Sequence, residues 1–171
     1  MRKVLTATAV VALSLSAGSA IADPPPRALP NFFLKFTVDT GDDDLRGGRD
    51  NVFAAVVVNG ATGRRWMLNQ RGQRWADRTR HQTTIPLPAG TRPNQIQKAV
   101  LTTTFRGGID GDNWNMSSVT VELTDDTRSF YVVLGRSGPK RFTGSDQRLE
   151  VPLALPISPD SIEKNPSANQ D

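Results

Sequence analysis

The feature that most restricts the fold is a series of short apolar segments, rich in β-branched residues and separated by turn residues. In Ser118–Leu123 the pattern alternates strictly, with Val119, Val121 and Leu123 on one face, as in a half-buried strand. Turn signals such as Asn59-Gly60 separate the segments. The predicted strands cover residues 33–38, 52–58, 65–68, 83–87, 96–105, 118–123, 130–134, 140–143 and 148–153. So many short strands predict an all-β sandwich, with at most one or two helical turns between Arg71 and Arg80.

The first residues have the layout of a cleavable signal peptide. Arg2 and Lys3 precede an uncharged, mostly apolar run, and Ala20-Ile21-Ala22 is a small-x-small cleavage site. The run contains several Ser and Thr residues, so a membrane anchor is the less favoured alternative. We therefore predict a signal peptide over residues 1–22, a Pro-rich linker over 23–31, one domain over 32–155 and a flexible tail over 156–171. The product is expected to be secreted or periplasmic, and its arginine-rich composition favours a bacterial source.

Composition limits the partners. The chain has no cysteine, so no disulfide supports the domain, and oxygen-ligated metal is the remaining external support. The formal charge of +4 falls to about +2 when Arg2 and Lys3 leave with the signal peptide. A nucleic-acid surface normally needs a stronger basic bias, so we expect no nucleic-acid partner.

Two loops combine acidic side chains with glycine, which suggests a calcium site. The first extends from Thr40 to Asn51, and the second is Asp110-Gly111-Asp112-Asn113. Calcium takes six to eight oxygen ligands, which such loops can supply jointly. Neither loop is an EF-hand, because neither has the glutamate at position 12. Asp, Asn and Gly also dominate ordinary turns, so metal-free turns are the alternative interpretation.

Two stretches carry a family resemblance. Residues 35–60 read KFTVDTGDDDLRGGRDNVFAAVVVNG, and residues 111–121 read GDNWNMSSVTV. Together they resemble the PLAT (lipoxygenase-homology) domain and the C-terminal lipid-binding domain of clostridial alpha-toxin phospholipases. In that family a strand ending in Thr-Gly leads to an acidic loop and an aspartate that starts the second strand. A later Trp precedes a V-x-V strand, as Trp114 precedes Val119 and Val121 here.

The resemblance implies an eight-stranded antiparallel β-sandwich of PLAT type. Several members of the family bind calcium at the loop end of the sandwich and use it to reach membranes, lipids or partner proteins. By position, Asp42, Asp43 and Asp44 match the acidic loop, and Asp50 matches the aspartate before the second strand. Asp110 and Asp112 fall near a later acidic loop without a unique alignment. No lipase, lipoxygenase or phospholipase domain accompanies this module, and many family members lack a complete calcium site.

A second candidate ligand-binding segment surrounds Trp75. Arg71, Arg74, Arg78 and Arg80 flank this ring, and guanidinium groups pair with phosphates, sulfates or carboxylates. Trp75 could enter a membrane interface or stack on a sugar, or it could lie beneath a solvated loop. Trp66 is similarly ambiguous, whereas the place of Trp114 before a strand favours a core or loop-anchoring role.

Catalysis has little support in the sequence. His81 is the only histidine, and the G-x-S-x-G nucleophile pattern is absent. We therefore predict a non-catalytic module that contacts lipid head groups or a partner protein with the help of calcium. The alternatives are a carbohydrate-binding or cell-envelope structural protein, and a small secreted hydrolase that uses His81 or a carboxylate pair.

Overall fold

The computed structural model describes residues 31–105, 113–128, 130–155 and 163–164. The described residues form eleven strands, three of which (β3, β4 and β11) have only two residues. The strands are β1 (Phe32–Thr40), β2 (Val52–Val58), β3 (Ala61–Thr62), β4 (Trp66–Met67), β5 (Arg80–Pro86), β6 (Ile96–Thr103), β7 (Trp114–Asp125), β8 (Phe130–Ser137), β9 (Lys140–Phe142), β10 (Arg148–Pro152) and β11 (Glu163–Lys164).

All strand pairs are antiparallel, and they build two sheets. The first has the order β11-β8-β7-β1-β5, with β9 beside the start of β7. The second has the order β10-β6-β2-β3, with β4 also beside β2. This arrangement confirms the predicted all-β sandwich, and the strand count exceeds eight because of the two-residue strands.

The described residues contain very little helix, as the sequence pattern predicted. Two single 3₁₀ turns, Gln70–Gly72 and Pro93–Gln95, are the only helical elements among the described residues. In the part of the chain that the structure describes, no helix is long and apolar enough to cross a bilayer.

The core lies between the sheets and follows the two-residue period of the strands. In β1, Leu34, Phe36 and Val38 are at most 1% exposed, and they alternate with partly exposed neighbours. The inward positions of β2, including Ala54 and Val56, belong to the same buried cluster. Burying this cluster supplies the main stabilising free energy, at roughly 25 cal/mol per Å² of apolar surface.

The end of β1 lies beside the start of β5, because Asp39 pairs with Arg80. Strand β2 begins at the same end of the sandwich, at Val52. We call this end of the sandwich the loop end. Of the predicted tail, Glu163 and Lys164 pair with Tyr131 and Phe130. The signal peptide, most of the linker and the rest of the tail lie outside the described residues and stay predictions.

Candidate functional site

Two connections lie side by side at the loop end. One covers residues 41–51 and the other residues 69–79, and we call them the paired loops. Leu45 and Trp75 exchange backbone hydrogen bonds in both directions, with N···O distances of 3.0 and 2.8 Å. Gly48 donates to the Gly72 carbonyl at 2.8 Å. The acidic loop and the arginine segment, predicted as separate sites, therefore form one surface.

Glycine allows the two backbones to approach. Gly47 has a φ of +78°, and a Cβ atom there would lie 2.2 Å from the Gly72 carbonyl oxygen. Gly72 has a φ of +69°. These positions need both the left-handed conformation and the missing side chain, so the glycines of this loop serve the loop pairing.

A buried asparagine holds the second loop to the sheet. The Asn69 side chain is 0% exposed and accepts a hydrogen bond from the Val52 backbone N–H at 3.1 Å. Its amide donates to Asn51 Oδ1 at 2.9 Å and to the Gln73 carbonyl at 3.1 Å. Because these partners come from both paired loops and from β2, Asn69 fixes their relative position.

The three consecutive carboxylates of the acidic loop each have a different partner. Asp42 accepts a hydrogen bond from Asn115 Nδ2 at 2.6 Å. This bond, more than the nearby arginines, holds the pKa of Asp42 below its usual range. The Asp43 carboxylate lies 3.3 Å from the Arg141 guanidinium, and Asp44 pairs with Arg74.

These partners bear on the predicted calcium site. Among residues 31–105, 113–128, 130–155 and 163–164, no three His, Asp or Glu side chains gather as metal ligands would. Calcium needs six to eight oxygens, whereas guanidinium or amide groups already engage Asp42, Asp43 and Asp44. Calcium binding by Asp42, Asp43 and Asp44 would have to displace these partners, and the calcium assignment of these residues and of Asp50 stays a prediction. Asp110 and Asp112 lie outside the described residues, so their part in a metal site stays a prediction.

The arginines of the paired loops are exposed. Arg74 pairs with Asp44, whereas Arg49, Arg71 and Arg78 have no ion-pair partner among the described residues. Arg71 and Arg78 have φ values of 59° and 53°. Left-handed backbone is uncommon for residues other than glycine and often occurs at functional sites. These three guanidinium groups are thus exposed and outside the ion pairs of the described residues, with Arg78 close enough to Asp42 to help lower the pKa of that carboxyl.

Trp75 lies in the core, which corrects its assignment as a ligand-binding residue. It is only 2% exposed, because its backbone pairs with Leu45 and its ring packs beneath the paired loops. Its ring is parallel to that of His81, with 4.5 Å between the ring centroids. It meets Trp114 edge-on at 5.8 Å, and Trp114 stacks on Phe142 at 5.2 Å. We call these four rings the aromatic column.

His81 joins this column to the paired loops. Its Nε2 atom lies 2.8 Å from Thr79 Oγ1, and burial lowers the pKa of the imidazole from 6.5. The neutral ring is therefore favoured in the folded protein, where it packs against Trp75.

We expect the free energy of unfolding to decrease as the pH falls below about 6.5. The folded pKa of His81 lies below its unfolded value, so the unfolded chain binds a proton that the folded chain resists. Urea unfolding at about pH 7.5 and about pH 5.5 measures this loss, and His81→Gln should reduce it. An equal loss in both proteins would show that another group is responsible. Asp39 and Asp42 are not that group, because their lowered pKa values lie below 3.8.

Sequence reasoning missed Asn69, Asn115 and Arg141 as residues of this surface. Asn115 and Arg141 belong to β7 and β9, and they reach the acidic loop only because β9 pairs with the start of β7. No local pattern in the sequence marks them.

Neither a protein-family model nor a curated protein sequence matches the chain. Solved structures do resemble it. The alpha toxin of Clostridium absonum matches with a TM-score of 0.53 and 14% identity, over 77% of this chain and 33% of the toxin. The alpha-toxin of an avian strain of Clostridium perfringens matches with a TM-score of 0.52 and 14% identity, over 77% and 34%. A calcium-dependent 11R-lipoxygenase gives a TM-score of 0.43 and 20% identity, over 76% and 18%.

The chain thus spans about a third of each toxin and less than a fifth of the lipoxygenase. The fold of the toxin matches agrees with the PLAT-like sandwich that the sequence resemblance implied. What the comparison establishes for this chain is its fold.

Proposed function

We propose that this chain is an exported, non-catalytic module whose paired loops bind anionic lipid head groups. The observation that carries the proposal is the set of three exposed arginines without carboxylate partners in the described residues, Arg49, Arg71 and Arg78. The PLAT-like fold supports it, because members of the family that the sequence resembles use this end of the sandwich to reach lipids.

The chemistry of arginine suits a phosphate-bearing surface. A guanidinium group offers a planar set of donors that matches phosphate oxygens and stays charged at any physiological pH. Each basic residue near an anionic membrane contributes about 1 kcal/mol, so three contribute about 3 kcal/mol at low salt. This gives weak, reversible, salt-sensitive binding.

Calcium need not supply the positive charge in this proposal. Asp43 and Asp44 form ion pairs with Arg141 and Arg74, and Asp42 accepts a hydrogen bond from the Asn115 amide, so arginine and amide groups of the chain engage these three carboxylates. Calcium-assisted binding remains the alternative mechanism, with Asp110 and Asp112 completing the ligands. Protein partners are the alternative target for the same arginines.

Glycan binding by ring stacking has less support. Trp75 is buried, and the Arg64 guanidinium lies 4.5 Å from the Trp66 ring centroid and covers one of its faces. Trp75 therefore offers no open face for a sugar, and Trp66 has one face already occupied by a guanidinium group.

Vesicle co-sedimentation tests the proposal. We expect the protein to pellet with phosphatidylcholine vesicles that contain phosphatidylserine, in chelator, and to remain soluble with phosphatidylcholine alone. Joint replacement of Arg49, Arg71 and Arg78 by glutamine should reduce the partition constant by about 100-fold, which corresponds to about 3 kcal/mol.

The matched control replaces Arg92, Arg128 and Arg136, three exposed arginines elsewhere that also have no ion pair among the described residues, by glutamine. It removes the same charge, so an equal loss in both variants would reduce the effect to net charge and overturn the proposal. Binding that requires calcium would instead support the metal-dependent mechanism. If the protein pelleted with neither kind of vesicle, in chelator or in calcium, lipid binding would be excluded.

A further inference from the structure

An apolar groove opens at the end of the sandwich opposite the paired loops. It lies where β2 and β5 finish, next to the start of β1, since Leu87 donates a backbone hydrogen bond to Phe32. Its volume is about 400 Å³. Small-molecule sites have volumes of about 300–1,000 Å³, so the groove has the size of a ligand site.

The groove exists because the second sheet ends in short strands. Strands β3 and β4 have two residues each, and Gly63 between them bonds back to the Val56 carbonyl at 2.8 Å. The edge of the second sheet therefore leaves a gap opposite the end of β5. Val56 and Leu87, members of the core cluster that are 6% and 8% exposed, lie at the base of this gap.

The groove is lined mainly by apolar side chains, with one charged residue among them. Pro86 and Pro88 line one side, and the half-buried Trp66 lines the other. Arg64 is the one charged residue among the described lining residues. Its guanidinium lies over the Trp66 ring, 4.5 Å from the centroid, and has no ion-pair partner in the described part of the chain.

We propose that this groove binds a free single-chain amphiphile with an anionic head, of the fatty-acid class. The apolar walls would take the hydrocarbon chain, and Arg64 at the rim would pair with the carboxylate. Because the Trp66 ring already holds the guanidinium in place, less side-chain freedom is lost when the carboxylate binds. A Pro-rich peptide fits less well, because such peptides dock on grooves lined by several aromatic rings and Trp66 is the one ring in the described lining.

This site is independent of the proposed function. The paired loops bind head groups displayed on a membrane, whereas the groove encloses a hydrocarbon chain removed from water. The two sites lie at opposite ends of the sandwich, so variants of one should leave the other unchanged.

Tryptophan fluorescence gives a selective readout. Trp75 and Trp114 are 2% and 0% exposed, so a brominated fatty acid in the groove should quench Trp66 alone. We expect 9,10-dibromostearate, titrated below its micelle concentration, to quench part of the emission of the full chain in a saturable manner. Trp66→Phe should abolish this saturable quenching. Ala61→Phe, which places a ring in the groove, should prevent binding without lowering the melting temperature.

Arg64→Gln should raise the dissociation constant about tenfold, as expected for loss of a hydrogen bond to a charged group. Arg65→Gln is the matched control, because Arg65 lies instead over Phe53 and donates to Thr102. Equal weakening by the two variants, or quenching that persists in Trp66→Phe, would overturn the proposal. So would quenching by brominated phosphatidylcholine vesicles but not by the free acid, which would identify the groove as a membrane contact.

Discussion

Replacing Trp114 by alanine is expected to lower the free energy of unfolding by about 3–5 kcal/mol. The ring is fully buried and forms the middle of the aromatic column, in contact with Trp75 and Phe142. Its loss would leave a large cavity between the sheets, and domains of this size have only about 5–15 kcal/mol of stability in total. Urea denaturation followed by circular dichroism measures the change.

Two variants make this prediction specific. The Trp114 indole N–H is buried with no hydrogen-bond partner among the described residues. Trp114→Phe should therefore cost markedly less than alanine, because it keeps an aromatic ring and removes an unsatisfied donor. Trp66→Ala, at the rim of the groove, should also cost less. Equal effects at positions 66 and 114 would contradict the placement of Trp114 at the centre of the core.

Asn69→Ala is expected to lower the free energy of unfolding by about 3 kcal/mol. It removes three hydrogen bonds and leaves the Val52 N–H and the Asn51 side-chain Oδ1 atom without these partners in a buried place. The second of the paired loops should then exchange its amide hydrogens faster, most clearly at Trp75, whose N–H bonds to Leu45. Hydrogen exchange and urea denaturation measure the two effects.

Asn94→Ala provides the control, because Asn94 is exposed in the turn Pro93–Gln95. It should change stability by less than about 0.5 kcal/mol. Asn69→Asp keeps the acceptor for Val52 but places a carboxylate against two oxygens, so it should be no milder than alanine. If Asn69→Asp left the free energy of unfolding unchanged, the two hydrogen bonds that the Asn69 amide donates would contribute little to stability.

The strands were predictable because they depend on a local period. The segment Val52–Val58 was predicted with its observed bounds, and the alternation around Val119 located β7 while missing its first four and last two residues. The sandwich follows from that pattern, since short strands separated by turns must pair to bury their apolar faces. Strand β4 lies within the predicted segment 65–68, whereas the two-residue strand β3 carries no such period.

The candidate site was less predictable because its contacts join distant segments. The burial of Trp75 depends on Leu45, thirty positions earlier, and on Trp114. The arginines next to Trp75 in the sequence suggested instead that its ring is available to a ligand. The acidic loop was found by composition, but Arg141 and Asn115 reach it only through the pairing of β7 with β9. Charge patterns identify such a surface, and topology determines which charges are neutralised.

The position of β1 has a consequence for how the chain is made. Strand β1 lies between β5 and β7, so Phe36 pairs with Val121, 85 positions later in the chain. A ribosome must therefore have released nearly the whole domain before its central strand finds both neighbours. Folding dominated by such distant pairing is slow. A nascent chain of this topology therefore stays unfolded for longer than one built from hairpins.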